Sequence, residues 1–236
     1  MPASRWFFGG RRGVPDRVAK ALQQARDGDP DGAVETVAER FPQALAALRE
    51  TAASDPGWLR LAARLAFRAG ELSEALAYAE RASGIGADAA NWHLIARLRL
   101  WRRQRDAADA FQRAHRLDPK QFVIPYRVTD KQFVRMAEVA LAGIPDRFQA
   151  ALANTLVVVD DLPSLEAVRE GEDPDLLGIY EGATVLEHGL PERIVLYQRN
   201  HENICADADE LEREVAETMR HEIGHHFGMA EDDLPY

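Results

Sequence analysis

His221, Glu222 and His225, in the run His221-Glu222-Ile223-Gly224-His225, have the side chains and the spacing to hold a divalent metal ion and activate water beside it. Two neutral imidazoles four residues apart on one helix can converge on a single zinc ion at about 2.0–2.1 Å. The carboxylate next to the first histidine is then placed to take a proton from zinc-bound water, whose pKa the metal lowers towards about 7. A catalytic zinc has three protein ligands and keeps one position open. One more ligand must therefore come from outside this pentapeptide.

The elements that position these groups can be read from periodicity. A helix is expected from about Asp207, capped by Asp207 or Asp209, to Phe227, with Gly228 placed to stop it. Leu211, Val215, Met219, Ile223 and Phe227 recur every four residues as one apolar stripe, and His221 and His225 fall on roughly the opposite side. His226 lies towards the apolar stripe and reads as a buried structural histidine. In sites of the pattern HExxHxxGxxH/D, a glycine lets the chain reverse so that a residue ten positions beyond the first histidine reaches the ion. Here that position is Glu231, with Asp232 as its nearest competitor and Asp233 a weaker one. Only residues 226–236 follow, so a ligand from a later helix is not expected. A closed structural zinc site is disfavoured because such sites use four ligands, often cysteines, and Cys205 is the single cysteine.

Upstream, residues 131–143 read as a helix, Thr155 to Val159 as a strand, 175–182 as a structured loop with glycine turns, and Ile194 to Tyr197 as a second strand. Four blocks then agree in order with a known family. They are Leu141 to Pro145 ahead of the valine-rich strand, Asp175 to Gly182, Leu190-Pro191 to Tyr197, and His221 to Gly228 followed by acidic residues. The stretch from about Lys131 to Leu234 resembles the minimal zincin-like metallopeptidase family. The resemblance implies a zinc-dependent fold with peptidase-like machinery and Zn2+ as cofactor. The third-ligand position in that family looks like Asp, whereas Glu231 here is one methylene longer, and no methionine-containing turn is expected downstream. Tyr180, Tyr197 and His201 could each stabilise an oxyanion, against a purely structural role. The 194–197 strand could be an edge that pairs with an extended peptide, or an ordinary sheet strand.

The first half is rich in Ala, Leu and Arg and reads as helices throughout. Trp58 and Trp92 are 34 residues apart, as are Ala62 and Ala96. Ala75 to Ala107 and Ala82 to Ala114 span 32, which reads as a second inter-helix turn about two residues tighter. The pattern resembles tetratricopeptide repeats, helix–turn–helix units of about 34 residues. Residues 15–54 read as a third, degenerate pair with its turn at Asp27-Gly28-Asp29-Pro30. Arg97, Arg99, Arg102, Arg103 and Arg105 form either a solvated helix face or a surface for an acidic partner.

An apolar fraction of 46% and a charged fraction of 29% are those of an ordinary globular protein. The net charge of −10 divides unevenly: residues 1–118 carry 19 basic against 15 acidic side chains, and residues 119–236 carry 10 against 24. That split argues for two units and against nucleic acid as a partner of the second. The expected fold class is α+β, an all-α helical-repeat domain at 15–119 after a tail at 1–14, then a small zincin-like α+β domain at 120–236. No signal peptide or membrane span is read, so a cytoplasmic protein is expected. The expected function is a zinc-dependent metallohydrolase acting on a peptide or protein substrate. His221, His225 and Glu231 would hold the metal, Glu222 would be the general base, and the helical repeats would recruit a substrate or protein partner. The alternative is an interaction scaffold whose zincin domain binds metal but turns over little.

Overall fold

A computed structural model describes residues 13–38, 41–51, 55–145, 152, 155–182 and 192–227. The chain is α+β, with helices through its first half and a three-stranded sheet with helices in its second. It divides into two compact units, Met1–Pro119 with Val168–Gly171, and Lys120–Ala167 with Glu172–Tyr236. No described helix is long and apolar enough to cross a membrane.

The first unit holds α1 (Gly13–Arg26), α2 (Pro30–Val37), α3 (Phe41–Thr51), α4 (Pro56–Arg68), α5 (Leu72–Ile85), α6 (Ala89–Trp101) and α7 (Ala107–Leu117). Its helix ends follow from local chemistry. The Asp55 carboxylate accepts from the Trp58 amide at the start of α4, and Asp88 accepts from Asn91 at the start of α6. After α4 the chain turns through Gly70 at φ +71°, and the Glu71 amide donates back to the Ala66 carbonyl at 2.8 Å. α6 ends the same way, with Gln104 donating to Arg99 at 2.9 Å, but the positive φ of 54° falls on Arg103. Caps and stops thus recur 33 residues apart, at 55 and 88 and at 70 and 103. Ala62, Ala75, Ala82, Ala96, Ala107 and Ala114 are all buried, and the first four share one core with Leu61, Leu65, Phe67, Ile95, Leu98 and Phe111.

Two expectations change here. Residues 15–54 form three helices, not a pair. Pro42 has no amide to donate within a continuous helix, so the chain restarts with this proline in the first turn of α3. The turn between α6 and α7 (102–106) is also two residues longer than that between α4 and α5 (69–71). The shorter alanine spacing arises because Ala107 opens α7, whereas Ala75 lies in the interior of α5.

The second unit begins with α8 (Asp130–Ala142), started by a reciprocal capping box between Thr129 and Gln132. Along the chain then come β1 (Leu156–Asp160), α9 (Leu165–Glu170), whose residues from Val168 on count with the first unit, β2 (Gly178–Glu181), β3 (Arg193–Tyr197), α10 (Gln198–Ile204) and α11 (Ala208–His226). The sheet order is β1-β3-β2, with β1 parallel and β2 antiparallel to β3. β3 is therefore the central strand of the described sheet, which decides between its two readings in favour of the ordinary sheet strand. The segment 175–182 is also more than a loop. The Ile179-Tyr180 pair suits a strand, and pairing with β3 supplies the hydrogen bonds that so short a run cannot provide alone. Ile194 and Leu196 of β3, with Val157, Val159 and Tyr180 beside them, meet Phe133 and Ala137 of α8 and Leu211, Val215, Met219 and Ile223 of α11. Cys205 is 2% exposed in this core, where burial pushes its thiol up to about 12, and it acts as a small apolar group.

Arg103 holds a left-handed conformation that costs an L-residue roughly 1 kcal/mol and glycine almost nothing. Arg103→Gly should therefore stabilise the first unit by about that amount. Trp58, Trp92 and Trp101 lie in this unit and residues 120–236 hold no tryptophan, so urea unfolding followed by tryptophan fluorescence isolates its transition.

Candidate metal centre

The helix that carries the candidate ligands is fixed at its start and along one side. The Asp207 carboxylate accepts from the Glu210 amide at 2.9 Å, and Asp209 and Glu210 lie at the positive end of the helix dipole. Leu211, Val215, Met219 and Ile223 are each 5% exposed or less, whereas Phe227, expected to extend this stripe, is 40% exposed beyond the end of α11. With that stripe buried, Glu214, Glu217, Thr218, His221 and His225 form a polar stripe, and Glu222 lies at the border between it and the apolar one.

The Nε2 atoms of His221 and His225 are 3.1 Å apart, with ring centroids at 4.7 Å. One ring donates its Nε2–H to the other at that separation. Two nitrogens so placed, each about 2.05 Å from a common ion, would subtend roughly 100° at it, close to the tetrahedral angle zinc prefers. The pair therefore fits a zinc ion as two of its ligands. No group of three metal-binding side chains occurs among the described residues. Glu231, Asp232 and Asp233, the expected sources of the third ligand, lie outside them, as does the His226 side chain.

His221 and Glu222 line a cleft of about 270 Å³ with Glu214, Glu217 and Thr218 of the same helix. Leu176, Leu177 and Gly178 form its other wall. Glu222 is 6% exposed, packed close against this wall. Gly178 allows this approach. A Cβ there would stand 2.8 Å from Thr218 Cγ2, 3.0 Å from the Val195 carbonyl oxygen and 3.2 Å from Glu222 Cγ. Burial, then the neighbouring Glu217 carboxylate, raises the Glu214 carboxyl above its ordinary value.

The three oxyanion candidates separate. Tyr197 lies on the sheet face of Val195, away from α11, and burial followed by Glu181 and Asp160 pushes its phenol up to about 12. Tyr180 lies on the α11 side of the sheet, with its phenol raised by burial and Glu192. His201 is fully buried and engaged on both nitrogens, by the Tyr197 carbonyl at 2.9 Å and Thr218 Oγ1 at 3.0 Å. A carbonyl can only accept, so Nδ1 carries the proton and Nε2 accepts from the threonine hydroxyl.

Sequence reading missed α10, whose residues Gln198 to Asn203 are polar throughout. Asn200 donates from Nδ2 to the carbonyls of Pro174 (2.9 Å) and Leu176 (2.7 Å). Glu202 is fully buried and accepts from Arg127, Arg199, Gln198 and the Val128 amide. Burial would raise this carboxyl, but these donors together hold it below its ordinary value. The signal was available in principle: a run of six polar residues directly after an apolar strand is either a surface or a fully paired buried network.

With this geometry in view, residues 152–236 match the model of the zincin-like metallopeptidase family. The similarity supports a zinc metallopeptidase-type fold for that stretch, which contains the sheet, α10 and α11. No curated protein matches the chain.

Two outcomes follow from the packing. Gly178→Ala should destabilise the second unit by about 1–3 kcal/mol through overpacking against Thr218 and Glu222, read by hydrogen exchange in β3. Burial lowers the His201 pKa from 6.5 to about 4, so the unfolded chain binds the extra proton first as the pH falls. The stability this histidine contributes is complete above about pH 6.5 and is lost on acidification towards pH 4, about 3 kcal/mol in all. His201→Gln should flatten the acid slope of hydrogen-exchange stability in β3 across that window.

Proposed function

We propose that the second unit is a zinc-dependent hydrolase of peptide bonds, and that the helical unit recruits its substrate or a protein partner. The observation that carries this reading is the His221–His225 nitrogen pair, 3.1 Å apart, with His221 lining a cleft together with the buried Glu222. The match of residues 152–236 to zincin-like metallopeptidases supports it. His221 and His225 would hold the metal together with Glu231, for which Asp232 is the competitor. Zinc, when bound, supplies Lewis acidity and activates water near neutral pH. Glu222 takes the proton of the attacking water and returns it to the leaving amine. Its burial beside Gly178 limits the freedom of that side chain. β2 is an edge of the described sheet and begins at the cleft wall, so an extended peptide laid along it would gain backbone hydrogen bonds.

The recurrence of helix caps and stops every 33 residues supports reading α4–α7 as two tetratricopeptide-like repeats. Stacked helix pairs of this kind present an extended surface suited to protein partners.

Protein purified without chelators should contain about one zinc per chain by elemental mass spectrometry, and the double variant His221→Ala/His225→Ala should contain none. Glu231→Ala should weaken zinc retention more than Asp232→Ala. Glu222→Gln should keep the zinc and lower peptide hydrolysis by roughly 10²–10⁴-fold. Bound zinc with no hydrolysis of any peptide pool, and partner binding unchanged by Glu222→Gln, would favour the scaffold reading instead.

A further inference from the structure

Two adjacent residues of α10 hold the two walls of the cleft. Asn200 is 4% exposed and spends both amide hydrogens on the carbonyls of Pro174 and Leu176. Those carbonyls belong to the segment that runs into Leu176, Leu177 and Gly178, the wall facing α11. The Tyr197 amide adds a bond to the Leu177 carbonyl at 2.7 Å. His201 holds the other wall. Its Nε2 accepts from the hydroxyl of Thr218, which lines the cleft one helical turn before Glu222.

α10 is itself fixed from its other side. Glu202 and Asn203 bind Arg127, Gln198 binds the Val128 carbonyl, and the Tyr126 amide donates to Cys205 just beyond the helix. The walls are thus tied to a short helix that cannot shift without breaking buried charged hydrogen bonds. None of these side chains is a candidate metal ligand or proton carrier.

We propose that Asn200 and His201 are positioning residues that set the separation of the two cleft walls, and so its capacity for substrate, without contributing to metal binding. This rests on the metallohydrolase reading above. Leu176 and Leu177 on one wall give the cleft an apolar side, so the class of ligand affected is a peptide that carries an aliphatic side chain next to the metal-binding group.

Two probes separate the cleft from the metal. Acetohydroxamate reaches a bound metal alone, whereas a leucyl-peptide hydroxamate must also enter the cleft. The full chain is loaded with Co2+, and both probes are titrated by visible absorption. Asn200→Ala and His201→Ala should bind Co2+ and acetohydroxamate as the unaltered protein does, and lose about tenfold in affinity for the peptide hydroxamate, roughly 1.4 kcal/mol. His201→Gln, which keeps an acceptor for Thr218, should recover most of that loss. If alanine prevents folding, Thr218→Val cuts the His201 link at nearly constant shape and should show the same selective loss. Equal loss of both probes together with Co2+, or no loss of either, would overturn the positioning role and leave the hydrolase reading standing. Failure of the unaltered protein to bind Co2+ or acetohydroxamate would overturn both.

Discussion

The rotation of α11 about its own axis decides what this unit can do. Leu211, Val215, Met219 and Ile223 are buried against Ile194 and Leu196 of β3. Each such side chain contributes about 1.5–3 kcal/mol when removed from water. Turning the helix by one residue, about 100°, would bring this stripe out of the core. The polar stripe is therefore held towards β2 by apolar contacts that have no chemistry of their own. Burial of Glu222 and Thr218 is the cost of that placement, and the lack of a side chain at Gly178 keeps it affordable.

A second constraint comes from α10. An apolar helix in its place would pack more simply, because buried polar groups must find every partner or cost several kcal/mol. Here Gln198, Asn200, His201, Glu202 and Asn203 are buried and each is hydrogen-bonded. Such a network adds little net stability over a hydrophobic replacement, but its directional bonds permit far fewer arrangements. The segment at 126–128, the loop at 174–177 and Thr218 of α11 are all joined through seven residues of helix.

Local patterns were legible in the sequence. The Asp207 cap, the four-residue apolar stripe and the His221/His225 phase depend on spacings within one helix, and the folded chain keeps them. In α4 to α7 the alanines read from their spacing are buried, and the Asp55 and Asp88 caps found there are equally local. What required long-range pairing was not legible. β2 is four residues long and looked like a loop because its hydrogen-bond partner lies across the 182–192 connection. The central place of β3 could not be read without β2. α10 has no apolar periodicity because its polar atoms are satisfied by residues up to 76 positions away, as for Arg127 and Asn203. Pro42 was a readable break in the first unit, and its consequence there, a third helix, follows from the missing amide.

The same contrast explains how the site is divided. Two imidazoles four residues apart need only an intact helix to converge, so their approach depends on short-range structure. The cleft has no such economy. Its walls come from 176–178 and 214–222, and their bracket from 200–201, three stretches that meet only in the folded unit. Substitutions in α10 or at Gly178 can therefore alter what enters the cleft while the nitrogen pair stays together. The shape of the cleft depends on residues that do not line it, because the wall they hold is only one loop thick.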